Sequence, residues 1–303
     1  MFVSGFTIVR NAVQYDYPVV ESIRSILPAV DEMIVAVGNS CDATRELIES
    51  IGSPKIRIID TVWDDAQRRG GTVLAQQTNL ALAECTGDWC FYIQADEVVH
   101  EQDLARIQAT MRRYEHSPSV DAISFRYHHF RADYGIRDPL PYRRQVRIVR
   151  PQRGIQSVGD ACGFGRGDHK LKSVSCGAWI YHYGYVKPPQ NMAAKNNYFQ
   201  SLYDGRMVTP GEASEAREYA WNLRTCEAFQ GTHPQVMNQR IANKNWETPP
   251  AKLVYRWRNP IYWQGLLYKN TRTFRRMSQF PRQLLSALRS PSCLPTNNAK
   301  QAN

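Results

Sequence analysis

Residues 88–99 run Asp-Trp-Cys-Phe-Tyr-Ile-Gln-Ala-Asp-Glu-Val-Val. Trp89 to Ile93 is an unbroken apolar and aromatic stretch, the pattern of a strand buried on both faces. Such a strand needs covering layers on either side, which points to an α/β sheet flanked by helices. The apolar run stops at Gln94, and two acids, Asp96 and Glu97, follow at once. In an open α/β sheet, ligands bind beyond the carboxyl ends of the strands. An isolated acid pair could equally open the next helix, so the other strand ends have to decide between the two readings.

Taken in order, the chain alternates. Residues 5–9 read as a first strand closed by Arg10-Asn11, and residues 19–27 as a helix with apolar positions at helical spacing, ended by Pro28. Residues 32–37 form a second strand, followed by Gly38-Asn39-Ser40-Cys41-Asp42. A helix over 43–51 comes next, with Asp42 at its N-cap. Residues 55–60 make a third strand ending in Asp60, and Thr72 to Glu84 a third helix after the Gly70-Gly71 break. Strands and helices at this spacing predict a parallel sheet with right-handed crossovers.

Parallel strands bring all four carboxyl ends to one edge of the sheet. That edge then carries Arg10 and Asn11, Gly38, Asn39 and Asp42, Asp60, and Gln94 with Asp96 and Glu97. Amides and carboxylates suit a base and a ribose, a glycine allows close backbone approach, and a cation on Asp96 suits a diphosphate. The residues alone thus predict a nucleotide site in which Asp96 holds a divalent cation.

Five features in order resemble the catalytic core of family 2 glycosyltransferases, the GT-A fold: Val9-Arg10-Asn11; the loop Val37 to Asp42; Asn79-Leu-Ala-Leu82; Gly87-Asp88-Trp89; and Gln94-Ala95-Asp96 in the place of an Asp-x-Asp motif. Two departures stand out. The loop after the second strand lacks its leading acids, and the first acid of the metal motif is Gln94. The resemblance implies an inverting, metal-dependent transferase using Mn2+ or Mg2+. It would move a sugar from a nucleotide-sugar donor to a glycan or lipid-linked acceptor in cell-envelope polysaccharide synthesis. It implies Asp96 as a metal ligand, with Arg10, Asn11, Gly38, Asn39, Asp42, Asp60 and Gln94 around the donor.

Past residue 100 an amphipathic helix (101–113) and strands over 120–130 and 143–150 are predicted, with glycine-rich loops after them. In the family this half faces the acceptor. Inverting transfer needs a carboxylate near the attacking hydroxyl, and Asp160, in a glycine-flanked loop, and Glu97 are the catalytic candidates. Trp179 to Val186 resembles a His-Tyr-Gly element of bacterial members, which makes His182 the second metal candidate, with His128-His129 behind it. Imidazole suits manganese better than magnesium. A helix is expected from about 191 and another over 213–229.

The division expected is 1–115 for the donor half, 116–247 for the acceptor half and 248–303 for a basic helical extension. The last acid is Glu247, and ten basic residues follow it, so the net charge of +10 sits wholly in the final 56 residues. From Pro260, Trp263, Leu266 and Leu267 recur on one helical face with basic residues beside them. This pattern predicts an anionic membrane surface as partner for residues 252–289, with docking on the protein's own core as the alternative. Seven scattered cysteines without a CxxC pair, and an N-terminus unlike a signal peptide, lead to the expectation of a cytoplasmic protein, peripheral on a membrane at most. Two other classes remain open. A nucleotidyltransferase would want a Gly-rich basic signature after the first strand, where Asn11 to Asp16 has none. A nucleic-acid-binding protein would use the basic tail, but residues 1–100 disfavour nucleic acid as a partner.

Overall fold

A computed structural model describes residues 1–64, 69–167, 169–204, 223–248, 250 and 253–270. The predicted alternation is present as β1 (Val3–Val9), α1 (Val19–Ile26), β2 (Glu32–Val37), α2 (Thr44–Glu49), β3 (Ile56–Asp60), α3 (Thr72–Ala83) and β4 (Trp89–Tyr92). Strands β3, β2, β1 and β4 lie side by side and parallel. Their carboxyl ends therefore share one edge, as the alternation requires.

Strand alternation fills a core on each face of this sheet. Val9, Met33, Val35, Trp89 and Phe91 point to one core, with Ile23, Ile107 and Met111. Phe6, Ile8, Ile34, Ala36, Cys90 and Tyr92 point to the other, with Val73 and Leu74. Burying a side chain of this size contributes about 1.5–3 kcal/mol relative to exposure. Packing on both faces of β1, β2 and β4 fixes the place of the edge they share.

Glu97 opens no helix; Glu97–Val99 is a short strand, β5. After a 3-10 turn, α4 spans Leu104–Arg113, and then come β6 (Ala122–Arg131), β7 (Asp133–Asp138), β8 (Arg144–Val149), β9 (Gln156–Val158) and β10 (Gly163–Gly165). Strand β8 runs antiparallel to both β4 and β6, so one sheet continues across the expected boundary at residue 115. Residues 173–185 form a long strand, β11, which pairs parallel with β6 and antiparallel with β5. Its register sets His182 beside both His129 and Glu97.

Helix α5 (Pro189–Asp204) follows, then β12 (Glu227–Ala228), α6 (Asn238–Ala242) and α7 (Pro260–Asn270). Of the helix expected over 213–229, residues 213–222 lie outside the described residues, and Glu227–Ala228 pair with β7 as a strand. In α7 the docking residue is Tyr262, which is fully buried and accepts a hydrogen bond from Arg143 Nη2 at 2.7 Å. Trp263 and Leu267 point outward, 48% and 69% exposed. The helix is thus anchored by one aromatic and keeps an outer apolar edge. The basic segment beyond residue 270 lies outside the described residues. Among the described residues no helix is long and apolar enough to cross a membrane.

Candidate active site

Asp96 lies in the turn between β4 and β5, at the carboxyl edge of the parallel strands. The turn is pinned from below. Glu97 is fully buried and accepts from Arg147 Nε at 2.8 Å, Arg147 Nη2 at 2.7 Å, Tyr127 Oη at 2.8 Å and the Gln94 amide at 3.2 Å. Its partner Arg147 is also inaccessible to solvent. A carboxylate with both oxygens committed beneath the sheet edge has the surroundings of a strut. The catalytic role expected from its sequence position finds no lone pair turned toward a substrate.

Around Asp96 the chain gathers residues remote in sequence. Lys195, on α5, places Nζ 3.1 Å from Oδ2 and donates to the Gly184 carbonyl at 2.8 Å. His182 Nε2 lies 3.7 Å from Oδ1. Lys187 is fully buried and donates to the Tyr15 carbonyl at 2.6 Å. Burial alone would raise the Asp96 pKa. The positive charge of Lys195 above all, with that of Lys187, outweighs it and holds the carboxyl well below its usual range. The Lys187 ammonium is pushed well below its ordinary value, first by burial and then by Lys195.

The imidazole opposite Asp96 is neutral. Burial depresses the His182 pKa to about 3, against the opposing pull of Asp96. Its contact with Asp96 is therefore no ion pair. A relay of acceptors sets its tautomer. His129 Nε2 meets the Tyr142 carbonyl at 2.8 Å, and a carbonyl can only accept. With the His129 proton on Nε2, its Nδ1 accepts, and His182 Nδ1, 3.2 Å away, donates to it. This leaves the His182 Nε2 lone pair facing a carboxylate oxygen. Two electron-rich atoms held face to face, with a second group fixing the ring, form a donor set suited to a divalent cation. Gly184 makes room for it. A Cβ there would lie 2.5 Å from Asp96 Oδ2 and 2.8 Å from His182 Nε2. Among the described residues no cluster of three or more His, Cys, Asp or Glu is placed to hold a metal. A cation here would take only two protein ligands and complete its shell from substrate oxygens, as Mg2+ and Mn2+ commonly do.

The remaining predicted residues line the same edge in different roles. Asn11 ties β1 to the loop after β2, accepting from the Cys41 amide at 2.9 Å and donating its own amide to Ser40 Oγ at 3.0 Å. Asn39 Oδ1 accepts from the Trp63 amide at 3.1 Å. Asp42 clips the loops together, accepting from the Thr44 amide at 3.1 Å and the Gln14 amide at 2.8 Å. Gly38 packs beneath the Trp63 indole, and the Arg10 guanidinium lies 5.9 Å from that ring. Trp63 Nε1 is buried with no acceptor among the described residues. Asp60 is the outlier: its carboxylate is largely exposed and pairs with Arg45. Gln94 donates to the Ala161 carbonyl at 3.2 Å, which draws the Asp160 loop against the turn that carries Asp96. Asp160 accepts from Tyr203 Oη at 2.7 Å and stays half-buried.

The chain matches the model of glycosyl transferase family 2 over residues 6–169, more than half its length. It belongs to that family. The chain is accordingly a glycosyltransferase of GT-A fold, in agreement with the resemblance carried by Arg10-Asn11, Gly87-Asp88-Trp89 and Asp96. Solved structures similar to it include S. aureus TarS 1-349, at 13% identity over 74% of this chain and 71% of that one, with a TM-score of 0.41. The same fragment in complex with UDP-GlcNAc matches at 14% identity over 74% and 72%, with a TM-score of 0.40. Glucosyl-3-phosphoglycerate synthase from Mycobacterium tuberculosis, in complex with Mn2+, UDP and phosphoglyceric acid, matches at 13% identity over 70% and 80%, with a TM-score of 0.37. Comparison with curated proteins finds no match.

Lys195, Lys187, Arg147, Trp63 and Tyr203 carry much of this site, and sequence reasoning did not single them out. Lys195 lies 99 positions from the carboxylate it neutralises, so no local pattern could reveal it. The one usable signal was the helix expected from about 191, which brings its lysine over the strand ends.

Proposed function

We propose that the chain is an inverting, metal-dependent transferase that takes a sugar from a nucleotide-diphosphate donor. The observation that carries this reading is the facing pair of Asp96 Oδ1 and the neutral Nε2 of His182. Those two atoms would hold Mn2+ or Mg2+. The cation would supply a Lewis acid to spread the charge growing on the departing diphosphate.

This chain's own residues do the rest. Base and ribose lie along Asn11, the 38–42 loop and Trp63, whose buried indole N–H awaits an acceptor. Lys195 and Arg10 bring positive charge to the diphosphate. Asp160, oriented by Tyr203, takes the proton from the acceptor hydroxyl as its oxygen bonds to the anomeric carbon. The carbon–oxygen bond to the diphosphate breaks on the opposite face, and the electron pair leaves with the nucleotide. Glu97 acts as the strut that fixes the Asp96 turn. A glycan or lipid-linked acceptor and a role in cell-envelope polysaccharide synthesis complete the reading. The outer edge of α7, with Trp263 and Leu267, would rest on an anionic membrane surface.

Calorimetric titration of UDP with and without Mn2+ tests the core of this. Binding should tighten with Mn2+ in the native chain and lose that dependence in Asp96→Asn. A second reading has its own support, because Lys195 already neutralises Asp96. Lysines could then stand in for a metal, and UDP affinity unchanged by EDTA would select that reading over the first.

A further inference from the structure

A second concavity borders the rings that back His182. One cavity of about 230 Å³ has Tyr127, His129 and Tyr142 among its lining residues, the same ring cluster that backs His182. It shares Arg137, Trp179 and Arg256 with a neighbouring cavity of about 490 Å³. Together they form a groove in the range of a small-ligand site.

The groove concentrates arginine from separate parts of the fold. Arg126 comes from β6, Arg137 from β7, Arg143 from the turn into β8, Arg144 from the start of β8, and Arg256 from the segment before α7. Among the described residues two carboxylates line it, and both are already taken. Asp138 accepts from Arg131 Nε at 2.6 Å and from the Leu140 amide at 3.0 Å. Glu227 pairs with Arg137 and accepts the Arg256 amide at 3.1 Å. Among the described residues, no carboxylate lies within ion-pair reach of Arg126, Arg143, Arg144 or Arg256. Arg126 and Arg144 are exposed at the surface, with Arg126 5.4 Å from the Trp179 ring. Gathering like charges around a hollow opposes folding unless an anion enters it, and guanidinium forks match phosphate oxygens two at a time.

We infer that this groove is the acceptor subsite and that it binds a phosphate ester, so that the sugar is transferred to a phosphate-bearing acceptor. A membrane surface is the weaker occupant, because the arginines converge on a concavity instead of spreading over a convex face. The groove also abuts the rings that position His182, which sets an occupant next to the donor site. The inference rests on the glycosyl-transfer reading, and the test separates the two.

Glucose 6-phosphate and glucose are titrated calorimetrically into the full chain saturated with UDP and Mn2+, so that the donor site is closed to the probe. Glucose 6-phosphate should bind and glucose should not. Arg126→Gln/Arg144→Gln should weaken that binding by about tenfold or more and leave UDP affinity unchanged. If glucose 6-phosphate binds no better than glucose, or the double variant shifts its Kd by less than about twofold, the groove is no phosphate subsite. Binding to phosphatidylserine vesicles that the double variant abolishes, without any glucose 6-phosphate binding, would assign the arginines to a lipid surface and overturn the proposal. Failure of UDP itself to bind strikes the donor reading. The probe, repeated without UDP, then judges the groove by its own arginine dependence.

Discussion

Replacing Glu97 by glutamine separates a strut from a chemical group. Glu97 and Arg147 are wholly buried and share two hydrogen bonds, and Tyr127 and the Gln94 amide supply two more. The amide keeps the shape but turns an NH2 toward donors and leaves the Arg147 charge without its counter-ion. Removing one partner of such a pair costs about 3–5 kcal/mol. At about 2–4 °C per kcal/mol for a domain somewhat smaller than this chain, a loss near 4 kcal/mol lowers Tm by roughly 8–16 °C. Differential scanning fluorimetry of Glu97→Gln, Arg147→Met and the double variant measures the coupling. The double variant should recover about half of the loss or more, because the orphaned charge is gone. UDP should still bind the folded single variant, more weakly, since the turn carrying Asp96 has lost its tie to Gln94. A Glu97→Gln protein melting within about 2 °C of the native chain, with turnover down more than about a hundredfold, would refute the reasoning and make the carboxylate a participant in the chemistry.

Three further outcomes follow from the geometry. Gly184→Ala forces a methyl into space 2.5 Å from Asp96 Oδ2. It should cost about 1–3 kcal/mol in stability and abolish the Mn2+ dependence of UDP binding; unchanged calorimetry would show that the gap opposite His182 is not used. Asp160→Asn should lower kcat by roughly 10²–10⁴ with donor KM unchanged, and a drop of only a fewfold would place the base elsewhere. Burial first, then Arg137, depresses the His128 pKa to about 3. The unfolded chain takes up that proton near pH 6.5, so stability is full above that value and falls as the pH drops toward 3. His128→Phe should flatten that part of a urea-denaturation pH series, and an unaltered slope would mean that the ring is already charged.

Much of the parallel sheet and its carboxyl edge was legible because it follows from short-range pattern. The apolar run at 89–93, the glycine break at 70–71 and the residues closing each strand are local, and parallel pairing brings them to one edge. Asp96 and His182 were readable as a pair only through the family resemblance, since their meeting depends on β11 lying between β5 and β6. Three carboxylates looked alike in sequence and ended in different settings. Asp42 clips loops, Asp60 faces solvent and Glu97 lies under the sheet, because each setting is decided by partners such as Arg147 and Arg45 that no local spacing reveals. In α7 the apolar face was visible, but the docking side chain is its neighbour Tyr262, selected by Arg143 from the distant turn before β8.

The buried lysines of the second half have a consequence for how the chain can be cut. Lys187 grips carbonyls at residues 15 and 16, Lys195 neutralises Asp96, and β8 continues the sheet from β4. A fragment ending near residue 115 would keep every motif that reads as donor-binding. It would nonetheless lose both ammonium groups, the facing imidazole and the edge partner of β4. The surroundings of Asp96 are thus a property of the whole closed circuit, and a module excised for transplantation would carry the signature without them.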